Sequence, residues 1–383
     1  MGIKYRGVAQ LVAREVWDFD AAGSNPVTPT KIAVLTAKIQ SRKGSPCGFF
    51  EMIEDNMGNY TDIEKEFEAI IQPKLNAIFA TNPNNTPQRQ QQINATISQE
   101  LFLLRTRKMT DLSSFTGRNV ICYFSAFLQS SVANPELSIN DNDINGFMNA
   151  ISGMDKSKGL DLILHTPGGG VTATESIVTY LRKIFKMDIR VIVPHMAMSA
   201  GTMIACSSKE IVMGKQSSLG PIDPQYHNVP AQGVLKEFER AIAETQVDPN
   251  KSLIWKEIIK QYRPTFVGEC ENAVKMSYDL VDGWLSDCMF KGYKVTKKAR
   301  IDKVLSELSS HDASKLHDRH YDFEKCKKLG LKVTALESDQ DFQDKVLSLY
   351  HSYLLSIYRL PSSVKYIECQ RGQTFVINGK RNP

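Results

Sequence analysis

Two short stretches carry the residue types from which a site for stabilising an anion and attacking a carbonyl can be built. In HTPGGG, Pro167 is followed by Gly168, Gly169 and Gly170, and in MAMSAGT, Ser199 stands among Ala197, Ala200 and Gly201. Glycines tolerate positive φ and let successive N–H groups point into one space. Such amides hold an anion, whether a phosphate or the oxyanion of a tetrahedral acyl intermediate. The stretch lacks the Lys-Ser/Thr of a P-loop and does not spell GxGxxG, which counts against a nucleotide site. Taken alone, it also fits a tight turn from strand to helix.

A serine at a helix start is either a cap or a nucleophile. The small neighbours of Ser199 leave room for a substrate, and the helix dipole favours developing negative charge there. A hydroxyl needs a base, and His165 and His195 flank the two turns while Lys215, Lys236, Lys251 and Lys256 follow downstream. A lysine base has to be neutral, which requires burial to lower its pKa. Lys236 has apolar neighbours in GVLKEFERA, yet a helical wheel through Val234, Leu235, Phe238 and Ile242 sets it on the opposite side. His311, His317 and His320 match no recognised metal-ligand spacing, so they read as surface or packing residues and no metal is expected.

The elements that position these turns are legible from periodicity. Leu162 to Leu164, Val191 to Val193 and Ile211 to Met213 are unbroken apolar runs that read as buried strands, each ending in a special turn. Asn119 to Phe127 reads as a further strand, and Ser138 to Asp143 as a helix start. Strands alternating with helices argue for an α/β architecture with right-handed crossovers. Before this core, residues 62–80 and 90–110 read as packing helices, with Pro73 as a kink in the first. After Gln225, helices are expected over 234–245, 250–260, 267–290, 295–308 and 341–358, and a hairpin closes the chain. The reading divides the chain into 1–51, a helical segment over 52–110, and a main domain over 111–383. Residues 1–51 have little periodicity and end in a Pro/Ser/Thr cluster. They resemble the spurious peptide read from a tRNA gene, with Met52 or Met57 as an alternative start, or else form a disordered arm.

The chain has 383 residues, long enough for a large core, with 42% hydrophobic and 23% charged residues. A net charge of +5, from 47 basic against 42 acidic residues that are scattered, gives no argument for a nucleic-acid partner. Seven widely spaced cysteines without a CxxC pair fit a reducing compartment and argue against a disulfide framework or a zinc site. No apolar run reaches the roughly 18 residues of a membrane span, and no signal peptide is visible, so a soluble cytoplasmic protein is expected.

HTPGG after a strand, VPHMAMSAGTMIA beyond it and then EIVMGKQSSLGPIDPQ resemble the serine dehydrogenase proteinase family, relatives of signal peptide peptidase A. The resemblance is dense from Phe102 to Gln225, continues faintly through GVLKEF, the helix around Trp284 and KYIECQRGQ, and does not cover residues 1–50. It implies a Clp protease/crotonase-like spiral of βαβ units with added N- and C-terminal helices. It further implies a serine endopeptidase with a Ser-Lys dyad, a polypeptide substrate, a homo-oligomeric state and no cofactor. Ser199 matches the nucleophile, with Gly201 and Thr202 in its turn, and Gly168 and Gly169 match the oxyanion-hole glycines. Lys236 aligns with the lysine of a SILK-like stretch, here GVLK, from which Gln232-Gly233 depart. His195, in the PHxAMS pattern, and Lys215 are alternative bases. No ATPase motif is present, so the expected activity is independent of ATP. Two other readings stay open: a crotonase-like enzyme of coenzyme A thioesters, and a catalytically silent scaffold of a mobile-element defence system.

Overall fold

Continuous apolar runs become strands buried on both faces, and their alternation sorts the side chains into two cores. The computed structural model describes residues 59–130, 134–226, 229–309 and 319–379, all within one unit, Asn56–Pro383. The expectations for residues 1–51, and those for His311 and His317, lie outside the described residues.

In chain order the elements begin with helices α1 (Tyr60–Thr81) and α2 (Pro87–Thr116), strand β1 (Asn119–Ser125), helix α3 (Asp143–Ile151) and strand β2 (Leu160–His165). Next come α4 (Val171–Phe185), β3 (Ile189–Val193), β4 (Met196–Ala197), α5 (Ala200–Cys206), β5 (Glu210–Met213) and β6 (Ser218–Leu219). Then follow β7 (Gln225–Tyr226), β8 (Val229–Pro230), α6 (Ala231–Val247), α7 (Ser252–Ile259), α8 (Phe266–Trp284) and α9 (Lys297–Leu308). The chain closes with α10 (Phe323–Leu329), β9 (Val333–Ala335), α11 (Gln340–Arg359), β10 (Ser363–Cys369) and β11 (Thr374–Asn378).

The main sheet runs β11-β10-β1-β2-β3-β5-β9. Strands β1, β2, β3, β5 and β9 are parallel, and the β10/β11 hairpin is added antiparallel to β1. Mixed α/β architecture of the Clp protease/crotonase-like spiral type is thus present, as expected. Tyr123, Leu164 and Val193 point into one core with α3, α4, α5 and the C-terminal end of α8. Phe124, Ile163, Ile192 and Val212 point into the other, covered by α2 and α11. Helix α4 shows why it lies on the sheet: Ala173, Ile177, Val178, Leu181 and Phe185 form one buried stripe. Helix α2 begins at a Thr86 cap with proline in its first turn and stops at Gly117, which has φ 68°. Pro73 lies inside α1, which continues through it as one helix. No helix among the described residues is long and apolar enough to cross a membrane.

Helix α2 and strand β10 are joined by a buried ion pair. The Arg105 guanidinium donates to both Glu368 oxygens, at 2.8 and 2.9 Å, and Tyr353 and Thr374 hydroxyls complete the carboxylate's shell. Burial opposes the charge on Glu368, but Arg105 outweighs it and holds the carboxyl below its usual range. Because the folded pKa is depressed, the stabilisation is present above the ordinary carboxylate range and is lost as pH falls through the folded value. Glu368→Gln strands Arg105 without a counter-charge and is expected to lower the unfolding free energy by about 3 kcal/mol. Urea unfolding at neutral pH reads this deficit, which shrinks in acid.

Candidate active site

Strands β2 and β3 are parallel neighbours, so the turns after their carboxyl ends meet at one edge of the sheet. Past β2, Thr166 pairs with the short β4: Thr166 N–H donates to Met196 O and Met198 N–H to Thr166 O, both at 3.0 Å. This pairing presses the glycine turn onto the serine turn. A Cβ placed on Gly168, where φ is 102°, would lie 2.7 Å from both Ser199 Cβ and Met198 O. Gly169 has φ 154° and lies so close to Ile139 that a Cβ there would overlap its main chain at under 3.0 Å. Only glycine fits either position.

Hydrogen-bond accounting then separates the loop's amides. Ile139 N–H donates to Gly168 O at 2.8 Å, and Gly170 N–H donates to Ile139 O at 2.9 Å. Gly168 N–H is directed at Thr166 Oγ1, at 3.2 Å. The N–H of Gly169 has no hydrogen-bond partner among the described residues, and neither has that of Ala200 at the first position of α5. Ala200 is buried, and an unpaired main-chain donor away from water marks a place for an acceptor, whereas Gly169 is exposed along the cavity.

Ser199 occupies a strained backbone position, with φ 51° and ψ −116°. The Met198 O to Gly201 N hydrogen bond of 2.7 Å closes this turn, and Ser199 holds the place that glycine dominates in type II′ turns. Its side chain makes no capping bond to α5. The turn is held from outside: Thr202 Oγ1 donates to Ala197 O and accepts from Gly220 N–H, each at 2.9 Å. Gly220 of GPIDP packs against the back of the Met198–Ser199 main chain. Ser199 and the glycine loop open into a cavity of about 660 Å³, walled by Met203, Ile222 and Tyr226 and, from α8, by Asn272, Ala273 and Met276. Among the described residues no charged side chain lines it.

A family model described as ClpP-like SDH-type serine proteinase matches residues 98–374. The chain belongs to the ClpP-like SDH-type serine proteinase family. It is also similar to two uncharacterised proteins of Methanocaldococcus jannaschii. One is 33% identical over 211 residues, covering 55% of this chain and 64% of the relative. The other is 32% identical over 176 residues, covering 46% of this chain and 52% of the relative. The chain thus spans less than two thirds of either relative's length.

In this family member the expected bases stand in three different settings. Lys236 is half-buried in the first turns of α6 and is not among the residues lining the cavity. Its neighbours Val234, Leu235 and Phe238 pack with Cys270 and Val274 of α8, the helix that forms the cavity's far wall. His195 belongs to the opposite side of the sheet. Its ring stacks on His165 with centroids 5.5 Å apart, and Nδ1 lies 3.0 Å from the Tyr350 hydroxyl on α11. Burial, then the nearby His320, lowers the pKa of His195. Burial, then His195, pushes that of His165 down to about 3. Lys215 is exposed on a surface turn, where its backbone N–H donates to Glu337.

His320 Nδ1 lies 2.8 Å from Ser218 Oγ. Among the described residues no group of three or more His, Cys, Asp or Glu is placed to hold a metal ion. Sequence reasoning missed two participants in this site. Ala200 is one, and the usual signal for it is its place directly after a serine at the start of a helix. Ile139, which bonds the glycine loop from a distant turn, left no signal in its residue type.

Proposed function

We propose that this protein is a serine endopeptidase that needs no ATP and acts through Ser199, with main-chain amides as its oxyanion hole. The observation that carries the reading is the contact between the Gly168 turn and the strained Ser199 turn, beside two N–H groups that have no partner among the described residues. Ser199 Oγ attacks a peptide carbonyl and its proton passes to Lys236 Nζ. The oxyanion is held by Gly169 and Ala200 N–H, while Gly168 supplies the bare backbone that lets the loop lie on the serine. The tetrahedral intermediate collapses as Lys236 returns the proton to the leaving amine, and water then hydrolyses the acyl-enzyme by the same route in reverse. The uncharged cavity suits an extended polypeptide with uncharged side chains beside the scissile bond. A homo-oligomeric state agrees with the family resemblance.

Lysine is preferred to His195 as the base because the imidazole is engaged with Tyr350 on the far side of the sheet. Fluorophosphonate labelling with peptide mapping tests this. Label is expected on Ser199 in the wild type and in His195→Ala, and labelling slowed by about 10²-fold or more in Lys236→Ala. Full-rate labelling of Lys236→Ala would remove that lysine from the mechanism. A crotonase-like coenzyme A enzyme or a silent scaffold requires no reactive serine, so absence of label on wild-type Ser199 would favour one of those readings.

A further inference from the structure

Lys365, the third residue of β10, is fully buried and takes no part in the mechanism above. Its Nζ lies 2.7 Å from Oδ1 of the equally buried Asp143 and donates to Ser138 O at 2.8 Å. Asp143 Oδ2 accepts from the Tyr123 hydroxyl at 2.8 Å and from Asn140 N–H at 3.1 Å. Ser125 Oγ donates to Leu137 O at 2.7 Å. Every one of these bonds fixes the turn over residues 137–143, which leads into α3. That turn touches the candidate site twice, since Ser138 lines the cavity and Ile139 makes both main-chain bonds to the glycine loop.

A fully buried ion pair is seldom the most stabilising choice for its place, because apolar residues of similar volume fill it without desolvating charge. What the pair supplies is direction: a fixed carboxylate that collects donors from β1, β10 and the turn itself. We propose that Lys365, Asp143 and Tyr123 are positioning residues that hold the turn at Ser138–Ile139 as a clamp, and through it set the glycine loop in register with Ser199. The catalytic consequence rests on the peptidase reading; the clamp itself does not.

The test uses Lys365→Met/Asp143→Leu, which removes both charges together so that neither is left buried alone, and Tyr123→Phe as a milder variant. Hydrogen exchange over residues 137–143 and 166–172, thermal melting, and kcat and KM on a small p-nitrophenyl ester are measured on the full chain. The double variant is expected to melt cooperatively, to exchange at least about 10-fold faster in both segments, and to lose about 10- to 100-fold in kcat with KM within about twofold. Tyr123→Phe is expected to move the same quantities in the same direction by less, and it decides the matter if the double variant does not fold. Unchanged exchange, or a folded variant with full kcat, would overturn the proposal. A wild type that neither turns over nor labels would sink the peptidase reading alone, and exchange would still decide the clamp.

Discussion

Ser199→Ala is expected to abolish fluorophosphonate labelling and to lower kcat on the order of 10⁶-fold, the scale seen when a serine nucleophile is removed from its catalytic unit. The fold should be indifferent to the change. A capping serine replaced by alanine costs about 1 kcal/mol, but Ser199 makes no capping bond. Ser199→Gly separates the roles further. At φ 51° and ψ −116° an L-residue carries strain that glycine does not. The glycine variant is therefore expected to be as inactive as the alanine one and more stable by about 1 kcal/mol in urea unfolding. A gain in stability with total loss of activity is the signature of a position where strain serves chemistry. If both variants instead lose stability and keep turnover, Ser199 is a structural turn residue.

The parallel core and the two facing turns are legible in the sequence because unbroken apolar runs have few other places to go than a sheet covered on both faces. The neighbours of β2 and β3 follow from chain order, so the meeting of Gly168 with Ser199 follows too. Strand β9 is not legible, being a short edge strand over Val333–Ala335 whose residues are half-buried or exposed. The closing hairpin is readable as a hairpin, but its alternation does not say that β10 joins β1 and is buried at every position.

His195 shows how proximity in sequence misleads. It lies four residues before Ser199, yet its ring faces α11 while the serine turn faces the cavity walled by α8. That α8 wall comes from a segment whose periodicity marks it only as a packing helix. The apolar face assigned to α6 is also incomplete, since Ile242 is 62% exposed while Val234 is buried. A helical wheel finds the stripe but not where its partner helix ends.

Gly169→Ala is expected to lower kcat/KM by about 10²- to 10³-fold, the cost of misplacing an oxyanion donor. Two constraints act at this residue. Its φ of 154° is one that side chains rarely adopt, and an added Cβ would overlap the O, N and Cα atoms of Ile139. Main chain cannot swing aside as a flexible side chain can, so the loop has to leave Ile139 and break one or both bonds that hold it, displacing the Gly169 amide. Gly170→Ala is the control from the same loop. Its nearest neighbours would be Ala173 Cβ and Ile139 O, each at an ordinary 3.7 Å, and its φ is −65°. This variant is expected to keep activity within a fewfold of wild type. Loop flexibility or a general dislike of side chains near the site predicts similar losses for both glycines, whereas the contact with Ile139 predicts loss at one alone. Steady-state kinetics of the pair, with hydrogen exchange over residues 166–172, distinguishes the two explanations.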